Sequence, residues 1–362
     1  MNKHRYRVHF LLAIGLSSTL LTPVCWAQAA ADCDRILIKD PQPQWISSAV
    51  EWSGKVAAAD PARNAILLIG RDGTQVYDPK KLVDSAKDMM PTFINKTPNG
   101  YAVQMADRRL FWMDAGLNKV GFNRLDEPVP NSPEKIISTY YSVSTAANFL
   151  SIGAVKEANG RVDYGFFHAP QSNPSHFTFL KDWTDVDYYL LSHRYMTGLG
   201  ADEYAVLMAS GKTASIVNLS AGGKQVGVIP AAYRNTPKLN NETTGPSSQE
   251  ALFKTIEGFS IPVGLYGQDG FLYLLTREPG KERGKTIWRL FQIDPSSKQE
   301  PRGVVLPTDA HHLSVANSAD TWYFIEKGPV LPLGKQEATS MFMIPNSLIR
   351  TLSVPSTCRT AQ

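Results

Sequence analysis

Short apolar runs, rather than long amphipathic stretches, dominate the hydrophobic pattern of this 362-residue chain. The runs are rich in β-branched and aromatic residues and are bounded by Gly, Asp, Asn and Ser, a pattern typical of β-strands. Clear examples are residues 65–69, 101–105, 204–208, 271–275 and 321–325. The pattern therefore predicts an all-β protein, with short helices only at residues 81–90 and 249–254.

A strand–turn–strand unit recurs along the whole chain. Its turns fall at Asp72, Asp107, Asn159, Ser210, Asp269 and Asp320. The first interval is 35 residues and the other four lie between 51 and 59. A period of about 50 with several strands per unit is typical of a β-propeller, in which each small sheet packs against its neighbours in a ring. Six units predict six blades; a seven-bladed ring or a pair of β-sandwiches is the alternative.

The first 29 residues have the pattern of a signal peptide. Lys3, Arg5 and Arg7 precede an apolar run at residues 10–21, and Ala27-Gln28-Ala29 supplies small residues for cleavage. This predicts a mature chain of residues 30–362 that forms a single propeller domain in the periplasm or outside the cell; an uncleaved anchor is the alternative. No later run of 18 apolar residues occurs, so no transmembrane segment is expected in the mature chain.

Two cysteines remain after the signal peptide, Cys33 and Cys358, one near each end of the mature chain. An even pair in an exported protein favours a disulfide, which requires Cα atoms within about 7 Å. A closed ring of blades also brings the termini together. The repeat and the cysteines therefore both predict a six-bladed propeller closed by contact of the termini and a Cys33–Cys358 disulfide.

Charge gives no reason to expect a nucleic-acid partner. The chain has 37 basic and 33 acidic residues, and residues 1–29 contain three of the basic ones and none of the acidic ones. The mature chain therefore has a net charge of +1. No charged field of one sign is available to attract nucleic acid or an anionic membrane.

Histidines and a carboxylate just before the last repeat are the first candidates for chemistry. Asp309, His311 and His312 precede a predicted inner strand, where side chains of a propeller face the central channel. Imidazole beside carboxylate suits metal ligation or general-base catalysis. A surface turn or a structural histidine is the simpler interpretation.

Two further groups are weaker candidates. Asp182, Asp185 and Asp187 could hold a metal such as Ca²⁺, although the glycine and final acid of a calcium loop are missing. His193 follows these residues and could face the channel. No catalytic or metal-binding motif is complete in the sequence, so no cofactor is implied.

Three functions fit these observations. The first is an exported binding protein that presents propeller loops to another envelope or secreted protein, or to a cell-wall component, for example as an inhibitor or immunity protein. The second is a propeller hydrolase or lyase that acts on a sugar, lactone or ester in the channel, with Asp309, His311 and His312 as its site. The third is a structural component of an envelope assembly. The absence of motifs favours the first.

Overall fold

A computed structural model describes most of the chain. The described residues are 33–85, 87, 89–124, 135–144, 148–156, 159–160, 162–170, 178–181, 193–200, 203–209, 214–219, 223–230, 260–280, 285–327 and 339–360. They belong to one compact unit, Asp32–Gln362. The predicted signal peptide lies outside the described residues. Among the described residues, no helix has the length and apolar character needed to cross a membrane.

Strands of the first three blades follow one another along the chain. Blade 1 contains β2 (Ser48–Trp52), β3 (Lys55–Asp60), β4 (Ala65–Gly70) and β5 (Gly73–Val76). Blade 2 contains β6 (Pro91–Thr97), β7 (Gly100–Met105), β8 (Arg109–Met113) and β9 (Lys119–Arg124). Blade 3 contains β10 (Lys135–Ser144), β11 (Asn148–Lys156), β12 (Val162–Pro170) and β13 (Thr178–Lys181).

The remaining blades follow in the same way until the chain ends. Blade 4 contains β14 (His193–Gly198), β15 (Tyr204–Ala209), β16 (Ala214–Asn218) and β17 (Lys224–Gln225). Blade 5 contains β18 (Ile261–Gln268), β19 (Phe271–Pro279), β20 (Thr286–Ile293) and β21 (Arg302–Val305). Blade 6 contains β22 (His312–Asn317), β23 (Thr321–Lys327), β24 (Ser340–Pro345), β1 (Asp34–Leu37) and β25 (Arg359–Thr360), and α1 (Asn346–Thr351) follows β24.

Five of the six sheets in the described residues are antiparallel meanders of consecutive strands, the sixth combines strands from both ends of the chain, and the sheets are arranged as a β-propeller. The first strands of consecutive blades contact one another from β2 through β18, and β22 contacts β2. The ends of β18 and β22 are joined where Gln268 donates to Ser318 O at 2.7 Å and accepts from Asn317 at 2.7 Å. The first strands therefore surround a central axis, and the sequence prediction of a propeller is confirmed.

The hydrophobic core is divided among the seams between blades. In β3, Ala57 and Ala59 pack toward blade 2, whereas Val56 and Ala58 pack toward blade 6, and all four are fully buried. Successive side chains of a strand point to opposite faces, so a blade covered on both faces needs apolar residues at every position. This explains why the inner strands appear as continuous apolar runs.

Blade 6 closes the ring by combining both ends of the chain. Strand β1 pairs antiparallel with β24, with Asp34 opposite Met343 and Leu37 opposite Ser340, and β25 then pairs parallel with β1. Beside this pairing, Cys33 and Cys358 form a disulfide with a Cα–Cα distance of 4.6 Å. The predicted closure of the ring and the predicted disulfide are both confirmed.

The repeat identified in the sequence marks one hairpin in each blade, but not the same hairpin. Asp72 lies between the third and fourth strands of blade 1, Asp107 between the second and third of blade 2, and Asp269 and Asp320 between the first and second of blades 5 and 6. The first strands actually begin 43 to 68 residues apart. The differences in phase explain why the first interval in the sequence was short.

The predicted helix at residues 81–90 is wrong for the described part of that segment. A 3₁₀ turn, Pro79–Lys81, leads into an irregular stretch instead. Leu82, Val83 and Met89 are nevertheless buried in the core between blades 1 and 2. Their spacing therefore reflected burial of a connecting loop and not a helical face. The second predicted helix, at residues 249–254, lies outside the described residues.

Loss of the disulfide should weaken the closure of the ring. The cysteines are 325 residues apart, so the crosslink removes a very large loop from the unfolded ensemble. We expect the Cys33→Ser/Cys358→Ser variant of residues 30–362 to lose about 5 kcal/mol of unfolding free energy, the chain-entropy value for so long a loop. Urea unfolding measures this. Wild-type protein reduced with dithiothreitol should match the variant, and a loss under about 1 kcal/mol would contradict the assigned role of the bridge.

Candidate functional site

The predicted residues Asp309, His311 and His312 lie where the chain passes from blade 5 into the first strand of blade 6. Trp288 of β20 fixes this connection, since its Nε1 donates to Ala310 O at 2.7 Å. The rings of His311 and His312 meet edge to face with centroids 4.8 Å apart. The connection therefore reaches the end of the central axis at which the first strands begin, as the sequence predicted.

The carboxylate of Asp309 forms an ion pair with Lys285, with Nζ and Oδ2 2.7 Å apart. Both side chains are more than half exposed. The hydrogen bond from Lys285 lowers the pKa of Asp309, so this carboxylate is ionised at neutral pH. The structure places Asp309 at the rim. The catalytic role predicted for it stays a prediction.

His312 is paired across the hairpin with a lysine. In the β22–β23 register, His312 lies opposite Lys327. Residues opposite each other in an antiparallel pair project from the same face of the sheet, with Cβ atoms about 5 Å apart. The next residues on this face, Ser314 and Ile325, belong to the side of blade 6 that packs on blade 1, since Ser314 Oγ donates to Ile46 O at 3.4 Å. The two basic side chains therefore point toward blade 1.

Burial and neighbouring basic groups disfavour the protonated form of His312. Its pKa falls from the ordinary 6.5 to about 4, first because neighbouring protein groups displace water from the ring, and then because of the charges of His311, Arg277 and Lys327. The residue is still exposed at the surface, so the displacement of water is only partial. Burial likewise lowers the pKa of Lys327, with Asp60 raising it and Arg63 lowering it.

A buried carboxylate in blade 1, Asp60, organises the facing side of the site. Asp60 is fully buried and accepts hydrogen bonds from the backbone N–H groups of Gln44 at 2.6 Å, Trp45 at 3.1 Å and Arg63 at 3.3 Å. It therefore fixes both the segment that leads into β2 and the turn that follows β3. Sequence analysis missed Asp60; the only local signal was Asp followed by Pro61, which is typical of the start of a helical turn.

Two large apolar side chains are exposed at the same end of the axis as these basic groups. Trp45 is 61% exposed and Met90 is 43% exposed. Ser47 and Thr92 lie two residues after Trp45 and Met90, respectively. Ser47 Oγ donates to Thr92 O at 2.7 Å, and this bond joins the starts of β2 and β6. Trp45 and Met90 therefore occupy equivalent positions at the same end of adjacent blades.

We call this group of residues from blades 1, 2 and 6 the channel mouth: Trp45, Arg63, Met90, His312 and Lys327. It combines two exposed apolar side chains with two cations and an imidazole that is neutral at pH 7. Such a surface can hold an anionic group next to an apolar one.

The other predicted site residues lie wholly or partly outside the part of the chain that is described. His193 begins β14, a position equivalent to that of His312 in β22, but its side chain lies outside the described residues. Asp182, Asp185 and Asp187 also lie outside them. Within the described ranges, no group of three His, Cys, Asp or Glu side chains is arranged to hold a metal ion.

A cavity of about 280 Å³ lies at the opposite end of the axis, between blades 4 and 5. Its lining includes Glu203, Asn218, Gln268 and Phe271. Gln268 already bonds to blade 6 through both its amide oxygen and nitrogen. Because its polar lining is partly occupied in holding blades together, we favour the channel mouth as the functional site.

Comparisons with known proteins support no assignment of function. No protein-family model matches the chain, and no curated protein matches its sequence. Among solved structures, a Bacteroides fragilis protein named for its expected export is 9% identical, with a TM-score of 0.47 over 88% of this chain and 96% of that one. The fold therefore rests on the strand order described above.

Two enzymes are similar at the same level. A streptogramin B lyase is 12% identical, with a TM-score of 0.42 over 87% of this chain and 98% of that one. The catalytic domain of a GH62 α-L-arabinofuranosidase from Coprinopsis cinerea is 11% identical, with a TM-score of 0.35 over 87% and 97% of the two chains. Likeness this distant transfers neither activity nor site residues, since propellers host many unrelated functions.

Titration of His312 tests the electrostatics of the channel mouth. In ¹H–¹⁵N NMR spectra, the imidazole of His312 should titrate near pH 4. Lys327→Gln should raise the pKa of His312, because it removes a neighbouring positive charge. Lys298→Gln, the same charge change at the opposite end of the axis, should leave it unchanged. A wild-type pKa near 6.5, or equal effects of the two variants, would contradict the arrangement.

The lowered pKa of His312 predicts that the stability of the fold depends on pH. Below about pH 6.5 the unfolded chain protonates this imidazole, whereas the folded protein resists protonation down to about pH 4. Unfolding free energy should therefore fall as the pH is lowered through that window and be recovered above it. His312→Asn should show a smaller fall between pH 7 and pH 4.5 in chemical unfolding experiments; an identical pH profile would show that His312 does not contribute.

Removal of the Asp60 carboxylate should loosen the channel mouth. Asp60→Ala removes a fully buried carboxylate that accepts three backbone hydrogen bonds, so we expect a loss of about 2–4 kcal/mol of unfolding free energy. The exposed Asp320→Ala is the matched control and should change it by less than about 0.5 kcal/mol. Urea unfolding gives both values. Equal, small effects of the two substitutions would show that Asp60 does not organise this region.

Proposed function

We propose that this chain is an exported binding protein whose channel mouth docks a protein partner of the cell envelope. The observation that carries the proposal is the exposure of Trp45 and Met90 at the same end of adjacent blades, whose strands β2 and β6 are joined by the bond from Ser47 to Thr92. Trp, Met and Arg are enriched in protein–protein interfaces, and buried Trp side chains are frequent centres of binding energy. The flexible thioether of Met90 suits contact with a protein surface.

Other exposed apolar side chains are distributed differently. Val76, Val120, Phe122 and Val305 lie on the outermost strands β5, β9 and β21 of three blades, and Leu37 lies on β1. Single exposed apolar residues at sheet edges are ordinary features of a protein surface. The channel mouth differs because its two apolar side chains come from adjacent blades and lie beside Arg63, His312 and Lys327.

The backbone that presents Trp45 is fixed before any partner arrives. Asp60 holds the N–H groups of Gln44 and Trp45, and Arg63 Nε donates to Gln42 O at 2.6 Å. A surface that is already ordered loses less conformational entropy on binding. This favours Trp45 as an anchor that enters a pocket of the partner.

Quantitative capture tests the proposal. Tagged protein comprising residues 30–362 is used to isolate a stoichiometric partner from an envelope extract of the source organism, and the affinity of the purified pair is then measured. Trp45→Ala should weaken binding about 30-fold, the effect of losing about 2 kcal/mol at an interface hot spot. Phe122→Ala, which removes an aromatic side chain of similar exposure from β9, should change the affinity less than about twofold.

Two results would contradict the proposal. One is a partner whose affinity is the same with Trp45→Ala as with wild type. The other is retention of a cell-wall component with no stoichiometric protein, which would assign the surface to a different class of ligand.

A further inference from the structure

Basic side chains from three blades lie at the same end of the axis as Trp45. His312 and Lys327 belong to blade 6 and project from its face toward blade 1. Arg63 belongs to the turn after β3 in blade 1, and Arg277 lies near the end of β19 in blade 5. Asp60 bonds to Trp45 N and lies 3.8 Å from Arg63, and Ile46, next to Trp45, bonds to Ser314, two residues after His312. These contacts place Arg63 and His312 on neighbouring segments at one end of the axis, and the lowered pKa values of His312 and Lys327 agree with that placement.

Carboxylates near this region are engaged in structural contacts. Asp60 accepts three backbone hydrogen bonds within blade 1, and its Oδ2 lies 3.8 Å from Arg63 Nε. Asp309 pairs with Lys285 on the rim. Glu326 contacts Arg35 with Nη2 and Oε1 2.9 Å apart, and it also accepts a hydrogen bond from Ser340. Asp309 and Glu326 therefore have partners of their own, and the single carboxylate of Asp60 is shared between the charges of Arg63 and Lys327.

Like charges held together by a fold favour an anion that can enter between them. A carboxylate placed between Lys327 and Arg63 would gain charge-assisted hydrogen bonds and would lower the repulsion between the two cations. Arg side chains also bind carboxylates with two parallel hydrogen bonds. The exposed Trp45 and Met90 next to these groups favour an anion that is carried on a chain with apolar side chains.

We infer that the channel mouth selects an acidic segment of a protein partner, with Lys327 and Arg63 binding its carboxylates and Trp45 and Met90 contacting its apolar side chains. This rests on the proposed function and defines the class of partner surface. Inorganic phosphate and acidic polysaccharide share the anionic charge but lack the aliphatic side-chain methylene groups of an acidic peptide, so they serve as comparison ligands.

Binding of small probes to the mature protein tests the inference. The probes are N-acetylated, C-amidated octaglutamate, an octamer of galacturonate, and inorganic phosphate, each titrated by calorimetry at low salt. Octaglutamate should bind more tightly than either of the others, and added salt should weaken it. Lys327→Gln should weaken octaglutamate binding about fivefold, and Lys298→Gln less than about twofold.

The pKa of His312, measured by NMR with and without bound octaglutamate, is a second test, because it reports whether the anion binds at this position. A carboxylate bound beside His312 should raise the pKa of this imidazole, because the anion favours the protonated form. The inference is overturned if octaglutamate fails to bind, if Lys327→Gln and Lys298→Gln have equal effects, or if the pKa of His312 does not move. Tighter binding of the galacturonate octamer would assign the site to an acidic glycan instead of a peptide.

The affinities of the variants for the captured partner separate this inference from the proposed function. If Trp45→Ala weakens partner binding and Lys327→Gln does not, the binding function stands and the selection for acidic segments is wrong. If both variants weaken it and Lys298→Gln does not, both hold. If Trp45→Ala has no effect on the partner, both are wrong.

Discussion

Pairing of β1 with β24 is the interaction on which the rest of this structure depends. A blade has two apolar faces, and each is covered only if the ring is complete. The N-terminal strand supplies the fourth strand of blade 6, β25 adds to its edge, and the Cys33–Cys358 bridge fastens the junction. Ile36 of β1 lies in the core shared by blades 1 and 6, so loss of this pairing would expose part of that seam to water.

Closure of the ring also forms the channel mouth. Ser314 of β22 contacts Ile46, which leads into β2, and Ser47 in turn contacts Thr92 at the start of β6. These contacts place blades 6, 1 and 2 in sequence around the axis. His312 and Lys327 therefore face Asp60 and Arg63 only because residues from opposite ends of the chain have come together, and the site depends on the same closure as the core.

Much of the architecture could be predicted from the sequence, because each blade contains at least one tight hairpin with a clear turn signal. The Asp-Gly pairs at Asp72 and Asp269 are of this kind, and Asp269 indeed has a positive φ of 52°. The phase of the repeat could not be predicted, since the three hairpins within a blade have similar turn residues. The apolar spacing at residues 81–90 was misleading because a buried loop and a helix can share it.

The candidate site was only partly predictable, for a different reason. His312 was found because it precedes an apolar strand, and its partner Lys327 follows from the hairpin register once the turn at Asp320 is known. Asp60 and Trp45 were missed as functional residues because their significance lies in contacts between segments. Asp60 bonds to backbone groups 15 and 16 residues earlier, and Trp45 becomes notable only when its exposure beside Met90 is seen.

Hydrogen–deuterium exchange of residues 30–362, alone and with a captured protein partner, tests most directly whether the channel mouth is a binding surface. The account predicts slower exchange on binding for residues 44–47, 89–92 and 309–312, with no change in the outer strand β9. Protection confined to outer strands, or to the cavity between blades 4 and 5, would contradict it.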